Sequence, residues 1–188
     1  MRRLSFRPSF TMRGRKFKGL RGWAGKPSHP PLTDIPVGAY ILVAVFDVIS
    51  YTGRNHEWAR DFYRAGTFSL VGGVVVSFFA LLTGFWDWRK STEKGTQARR
   101  TASAHGWTMA TVTLVVLVDV GLRWFADGDA SHTPGHIAVL SLVAALLTVV
   151  GGTIGGSLAY DYGFNVETAG DSPVWHPSEE DVLPGGKS

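Results

Sequence analysis

Four apolar stretches, Ile35–Tyr51, Phe68–Trp88, Trp107–Phe125 and Ile137–Tyr160, run through an otherwise polar chain. Each approaches or reaches the ~20 residues that a helix needs to cross a ~30 Å hydrocarbon core. The expected fold is therefore all-α: a polytopic membrane protein built as a four-transmembrane-helix bundle with flexible tails. The mean hydropathy of only +0.06 conceals this, because it averages the apolar runs with polar tails and connectors.

A chain of 188 residues with four spans has room for one membrane domain and no second folded domain of ordinary size. The boundaries read as a basic cytoplasmic tail over 1–28, the membrane domain over 29–166 and an acidic flexible tail over 167–188. The absence of cysteine excludes disulfides, thiolate metal sites, cysteine-ligated iron–sulfur clusters and cysteine nucleophiles. The basic N-terminus is not followed by an apolar h-region, so no cleaved signal is expected.

Orientation follows from the cations. Arg2 through Lys26 precede the first span, and Arg89, Lys90, Lys94, Arg99 and Arg100 lie between the second and third. The opposite side holds only Arg54, Arg60, Arg64 and Arg123. The positive-inside rule places both termini and the middle loop in the cytoplasm of a bacterial-type plasma membrane. The first tail interleaves its cations with Phe6, Phe10, Phe17, Leu20 and Trp23, a pattern suited to an anionic lipid surface. Nucleic acid is not the expected partner. Trp86, Trp88, Trp107, Trp124 and Tyr160 mark span ends, where amphipathic rings settle at headgroup level.

Small residues indicate where helices approach closely. Gly151, Gly152, Gly155 and Gly156 form overlapping small-xxx-small frames in the fourth span, and Gly72 and Gly73 thin the second. Packing within one bundle and a seam between two copies are both open readings.

Ionisable residues carry what chemistry the chain shows, since a charge at the centre of a span costs at least ~2.5 kcal/mol. One cluster gathers His29, Asp87, His105 and Asp161 at the cytoplasmic level, a set able to hold a metal, a haem iron or a proton relay. Pro30, Pro31 and Pro36 point to an extended approach of the His29 segment. The bland alternative is that His105 lines the interface beside Arg100 while Asp87 pairs with Arg89 or Lys90. The other cluster is Asp47, Asp119 and Arg123. Residues 119 and 123 share one helix face, so an ion pair forms without any partner, and Asp47 needs a share of Arg123, a buried proton or a water-filled notch. A polar clasp and an ion or proton pathway are both readings of this set. His56, His132 and His136 are expected in solvent.

His29-Pro30 followed by Pro36-Val37-Gly38 and Asp47, the Thr83-Gly84-Phe85-Trp86-Asp87 end of the second span, Arg99-Arg100 to His105, and the run Gly151 to Tyr160 at the fourth span's exit together resemble a known family. It is the bacterial membrane family called domain of unknown function 2231, matched over roughly residues 29–166. Some members resemble fusions with a Rieske-type iron–sulfur domain, which implies an electron-transfer neighbourhood. This chain lacks the cysteines and the room for that domain, so a redox role requires bound haem or a separate partner protein.

Three functions are therefore expected as alternatives: an accessory or scaffold subunit near membrane electron transfer, a b-type haem protein using His29 and His105, and a small proton- or ion-handling transporter. The partners are the bilayer and either a redox protein or a second copy. No enzyme is expected, because the chain has no Gly-x-Ser-x-Gly, His-Glu-x-x-His or Gly-x-x-x-x-Gly-Lys motif, and no catalytic residue is assigned.

Overall fold

The computed structural model of the chain describes residues 28–163; the readings of the basic and acidic tails lie outside the described residues. Four helices follow one another: α1 (His29–Thr52), α2 (Ala59–Ser91), α3 (Gln97–Phe125) and α4 (Gly135–Tyr160). All four are long and apolar enough to cross a membrane. They run up-down-up-down. The near end of the bundle carries the start of α1, the end of α4 and the α2–α3 connection, and the far end carries the other two connections.

Helices extend past the apolar stretches that announce them, because polar turns at a span's end lie outside hydrocarbon and are free to remain helical. α2 begins at Ala59 rather than Phe68, and α3 at Gln97 rather than Trp107. The approach to α1 is not extended. Pro30 and Pro31 occupy its first turn, where a missing N–H has no carbonyl to lose. Pro36 sits buried inside α1, where it removes one rung of the ladder. At the start of α3 the Thr96 hydroxyl accepts from Arg99 N at 3.2 Å, the expected N-cap bond.

α1 packs on α2 and α4, as does α3, so α1 and α3 face each other across the bundle's diagonal. Tyr40, Val43, Leu70, Val112, Val116 and Ala144 fill the middle. Outward, Phe68, Phe78, Phe79, Leu114 and Leu146 are more than half exposed, the surface of a bundle whose solvent is lipid. Trp107, Trp124 and Tyr160 project freely near the ends. Trp88 instead lies under the Arg99 guanidinium, 4.0 Å from its ring centroid, and donates to Ser103 Oγ at 3.0 Å. Arg99 Nη1 also donates to the Thr92 carbonyl at 3.2 Å, so this arginine closes the α2–α3 turn.

The two helical hairpins repeat one pattern. The buried residues Pro36, Tyr40, Val43 and Asp47 of α1 fall at the same register as Val112, Val116, Asp119 and Arg123 of α3, each 76 positions on. Gly66, Leu70, Gly73 and Ala80 of α2 likewise correspond in spacing and burial to Ile137, Ser141, Ala144 and Gly151 of α4. The bundle thus has a pseudo-two-fold axis along its length, with α1 and α3 facing each other across it. On such an axis a residue meets its own equivalent.

Adjacent helical residues point about 100° apart, so only one member of each glycine pair can face inward. Gly73 takes the Tyr40 ring, and Gly151 takes Met109. Gly72 and Gly152 face open space, and Gly156 has only Tyr160 of its own helix nearby, so these three are not contact points inside the bundle.

Candidate functional site: a histidine pair and an ion-pair cluster on one axis

At the near end His29 and His105 meet across the axis. Their ring centroids are 6.3 Å apart with planes at 79°. Each ring is seated the same way on the following helix. His29 Nδ1 lies 2.9 Å from the Ala80 carbonyl, and His105 Nδ1 lies 2.8 Å from the Gly151 carbonyl. A carbonyl only accepts, so Nδ1 carries a proton in both rings. Neither Nε2 has a hydrogen bond among the described residues.

Four residues beyond each accepting carbonyl, the helix presents a glycine. A Cβ on Gly84 would stand 2.6 Å from His29 Cε1, and one on Gly155 would stand 2.9 Å from His105 Cε1. Both approaches are closer than carbon atoms tolerate, so each imidazole requires glycine beneath it. Gly155, expected to serve helix packing, is the seat of His105.

The other two members of the predicted cluster differ in their placement. Asp87 is buried on α2. Asp161 is exposed, one residue past the end of α4. Among the described residues no three histidine, aspartate or glutamate side chains converge as metal ligands.

At the far end Asp47, Asp119 and Arg123 come together with almost no exposure. Arg123 Nε donates to Asp119 Oδ1 at 2.8 Å, Nη2 donates to Asp47 Oδ2, and Nη1 donates to Thr67 Oγ1 at 3.1 Å. The second Asp47 oxygen accepts from Thr133 Oγ1 at 3.0 Å. Thr133 N donates to Ser50 Oγ at 2.8 Å, and Ser50 Oγ donates to the Ala59 carbonyl at 2.7 Å. The Arg123 guanidinium lies 5.1 Å from the Tyr63 ring centroid. Asp47 therefore takes the share of Arg123 that its position called for. Thr67, Thr133, Ser50 and Tyr63 were not legible as members; only the helical spacing of Tyr63, Gly66 and Leu70 marks that face of α2 as inward.

Of the three histidines expected in solvent, His56 and His136 are exposed and His132 is half-buried. His56 stacks on Trp58 with centroids 5.1 Å apart, His132 lies 3.2 Å from Ser131 Oγ, and His136 pairs with Asp127 at 2.9 Å.

The family model described as a predicted membrane protein (DUF2231) matches residues 25–168. No curated protein and no solved structure matches the chain. Four apolar helices in one bundle and a match over most of the sequence lead to one assignment: the chain belongs to the DUF2231 family of membrane proteins.

Proposed function

We propose that this protein is a non-enzymatic electron-transfer subunit of the bacterial plasma membrane that binds one b-type haem between His29 and His105. The observation that carries the reading is the pair's geometry. Two imidazoles from diagonally opposed helices come into edge contact, and each has its Nδ1 engaged by a carbonyl of the following helix. The separation of the ring centroids is 6.3 Å.

The donor set favours haem over a bare ion. A structural zinc takes four protein ligands, whereas a haem iron asks the protein only for axial ones. The described residues bring together two imidazoles and no third ligating side chain. When bound, haem supplies one-electron chemistry. The chain's own residues do the rest. Nδ1–H donation to the Ala80 and Gly151 carbonyls fixes each ring's rotation and makes Nε2 a better ligand. Gly84 and Gly155 let the rings lie close to α2 and α4. The basic α2–α3 loop supports a cytoplasmic near end, where a soluble or membrane redox partner would exchange electrons.

Visible spectra of the protein purified in mild detergent, oxidised and then dithionite-reduced, test the proposal. A Soret band with a reduced α-band is expected, absent from His29→Ala and from His105→Ala. A colourless wild-type preparation, after expression with haem supplied, would overturn it and leave an anchoring subunit.

A further inference from the structure

The far-end cluster does not balance its charge. Asp47 and Asp119 contribute two negative charges and Arg123 one positive, in a cluster with almost no solvent exposure. The helix termini do not correct the imbalance: α1 and α3 end here with their negative poles, α2 and α4 begin here with their positive ones, and the four cancel. The remaining groups on each side leave the count unchanged. From α2, the Tyr63 hydroxyl donates away from the cluster, to the Asp127 carbonyl at 3.1 Å. From α4, His136 is engaged by Asp127 and is itself more than half exposed. Arg64 of α2 lines the neighbouring cleft, but on its exposed side.

The pseudo-symmetry shows where the extra charge comes from. Asp47 and Arg123 are axis equivalents and by themselves form a neutral pair. Asp119 stands where the other repeat has Val43, and it is the addition that breaks the balance. Its oxygens are also unequal. Oδ1 holds the 2.8 Å bond from Nε, while Oδ2 receives only a 3.5 Å contact from Nη2, at the limit of a hydrogen bond. Both Asp47 oxygens, in contrast, are engaged. A buried carboxylate oxygen whose one donor stands at 3.5 Å, in a cluster one positive charge short, is a seat for a cation.

A route exists. A cleft of about 250 Å³ opens from the far end between α2 and α3, with Tyr63, Thr67 and Arg123 on its inner side and Phe68 and Trp124 at its margin. It ends on the guanidinium that joins the two carboxylates.

We propose that the Asp47–Arg123–Asp119 cluster is a binding site for one monovalent cation, a proton or a sodium ion, admitted from the far side through this cleft and held at Asp119 Oδ2. The inference does not depend on haem at the near end. A bound proton needs only the oxygen's lone pair, whereas a sodium ion needs several oxygen ligands.

Infrared spectra of the full chain in detergent at neutral pH distinguish the two. A proton at the site produces a protonated-carboxyl C=O stretch that shifts in D2O and disappears in Asp119→Asn. It disappears also in Asp47→Asn, because one carboxylate against one arginine needs no further charge; that variant serves if Asp119→Asn does not fold. Sodium at the site leaves no such band, and instead the thermal midpoint rises with sodium chloride over choline chloride in wild type but not in the variants. A wild-type protein with neither the band nor the sodium dependence, or with a band that both variants retain, would overturn the proposal.

Discussion

The two ends of the axis use equivalent positions for opposite purposes. His29 and His105 are a self-matched pair whose Nδ1 atoms are satisfied and whose Nε2 atoms are not. Asp47 and Arg123 are a mismatched pair that satisfies itself at once and recruits Thr67, Thr133 and Ser50 around it. A duplicated backbone delivers both pairs to the axis. Side-chain chemistry then decides which end leaves ring nitrogens unengaged and which one acts as a clasp. The near end leaves two Nε2 atoms without a hydrogen bond among the described residues, while the far end closes around its charges.

The clasp is the more sensitive end to mutation. Arg123→Met leaves two buried carboxylates without their counter-charge, and the expected cost is about 3–5 kcal/mol, measured as thermal unfolding in detergent. Arg123→Lys should recover little of this, because one ammonium cannot reproduce the planar three-way donation. A fully folded Arg123→Met protein would mean that the far end is not a clasp at all.

At the near end the two half-sites are equivalent, so under the proposed haem binding His29→Ala and His105→Ala should abolish the Soret band alike. Imidazole added to the buffer should restore part of it in both. Rescue in one variant only would show that the hairpins contribute unequally.

Gly84→Ala and Gly155→Ala probe the seats. Each places a methyl under an imidazole that has no room for it, an overpacking worth about 1–3 kcal/mol. The effect is expected to be larger at Gly84, where the clash distance is shorter. Displaced axial rings would appear as altered g-values in electron paramagnetic resonance of the oxidised protein, a readout that loss of packing alone does not move.

Gly72→Ala is the smallest effect and has the opposite sign. The position faces open space in mid-helix, so alanine is expected to stabilise by roughly 0.5–1 kcal/mol. A destabilised Gly72→Ala would instead reveal a partner, such as a second copy, seated on that face.

Much of the fold was readable before any coordinates. Hydrophobic runs of bilayer length announce helices directly, and the i,i+4 spacing of Asp119 and Arg123 announces their pair. Asp87 and Asp161 show the limit. Sequence placed them at the same depth as the histidines, but depth along a helix does not specify burial: Asp87 is buried and Asp161 is exposed. The prolines misled for a related reason: Pro30 and Pro31 read equally as an extended lead-in and as a first helical turn, and only the docking of His29 on α2 selects between them.

What the sequence alone determined is the solvent: lipid around four spans, with ionisable groups confined to two levels, because the cost of burying charge in hydrocarbon depends on residue type and length of run. What only the tertiary structure decided is pairing. Residues 76 positions apart become neighbours on a diagonal, His29 with His105 and Asp47 with Arg123, because helix packing sets which faces turn inward. The carbonyl and glycine that seat each imidazole lie on the following helix, and nothing local to a histidine in the chain records which turn of that helix it will meet.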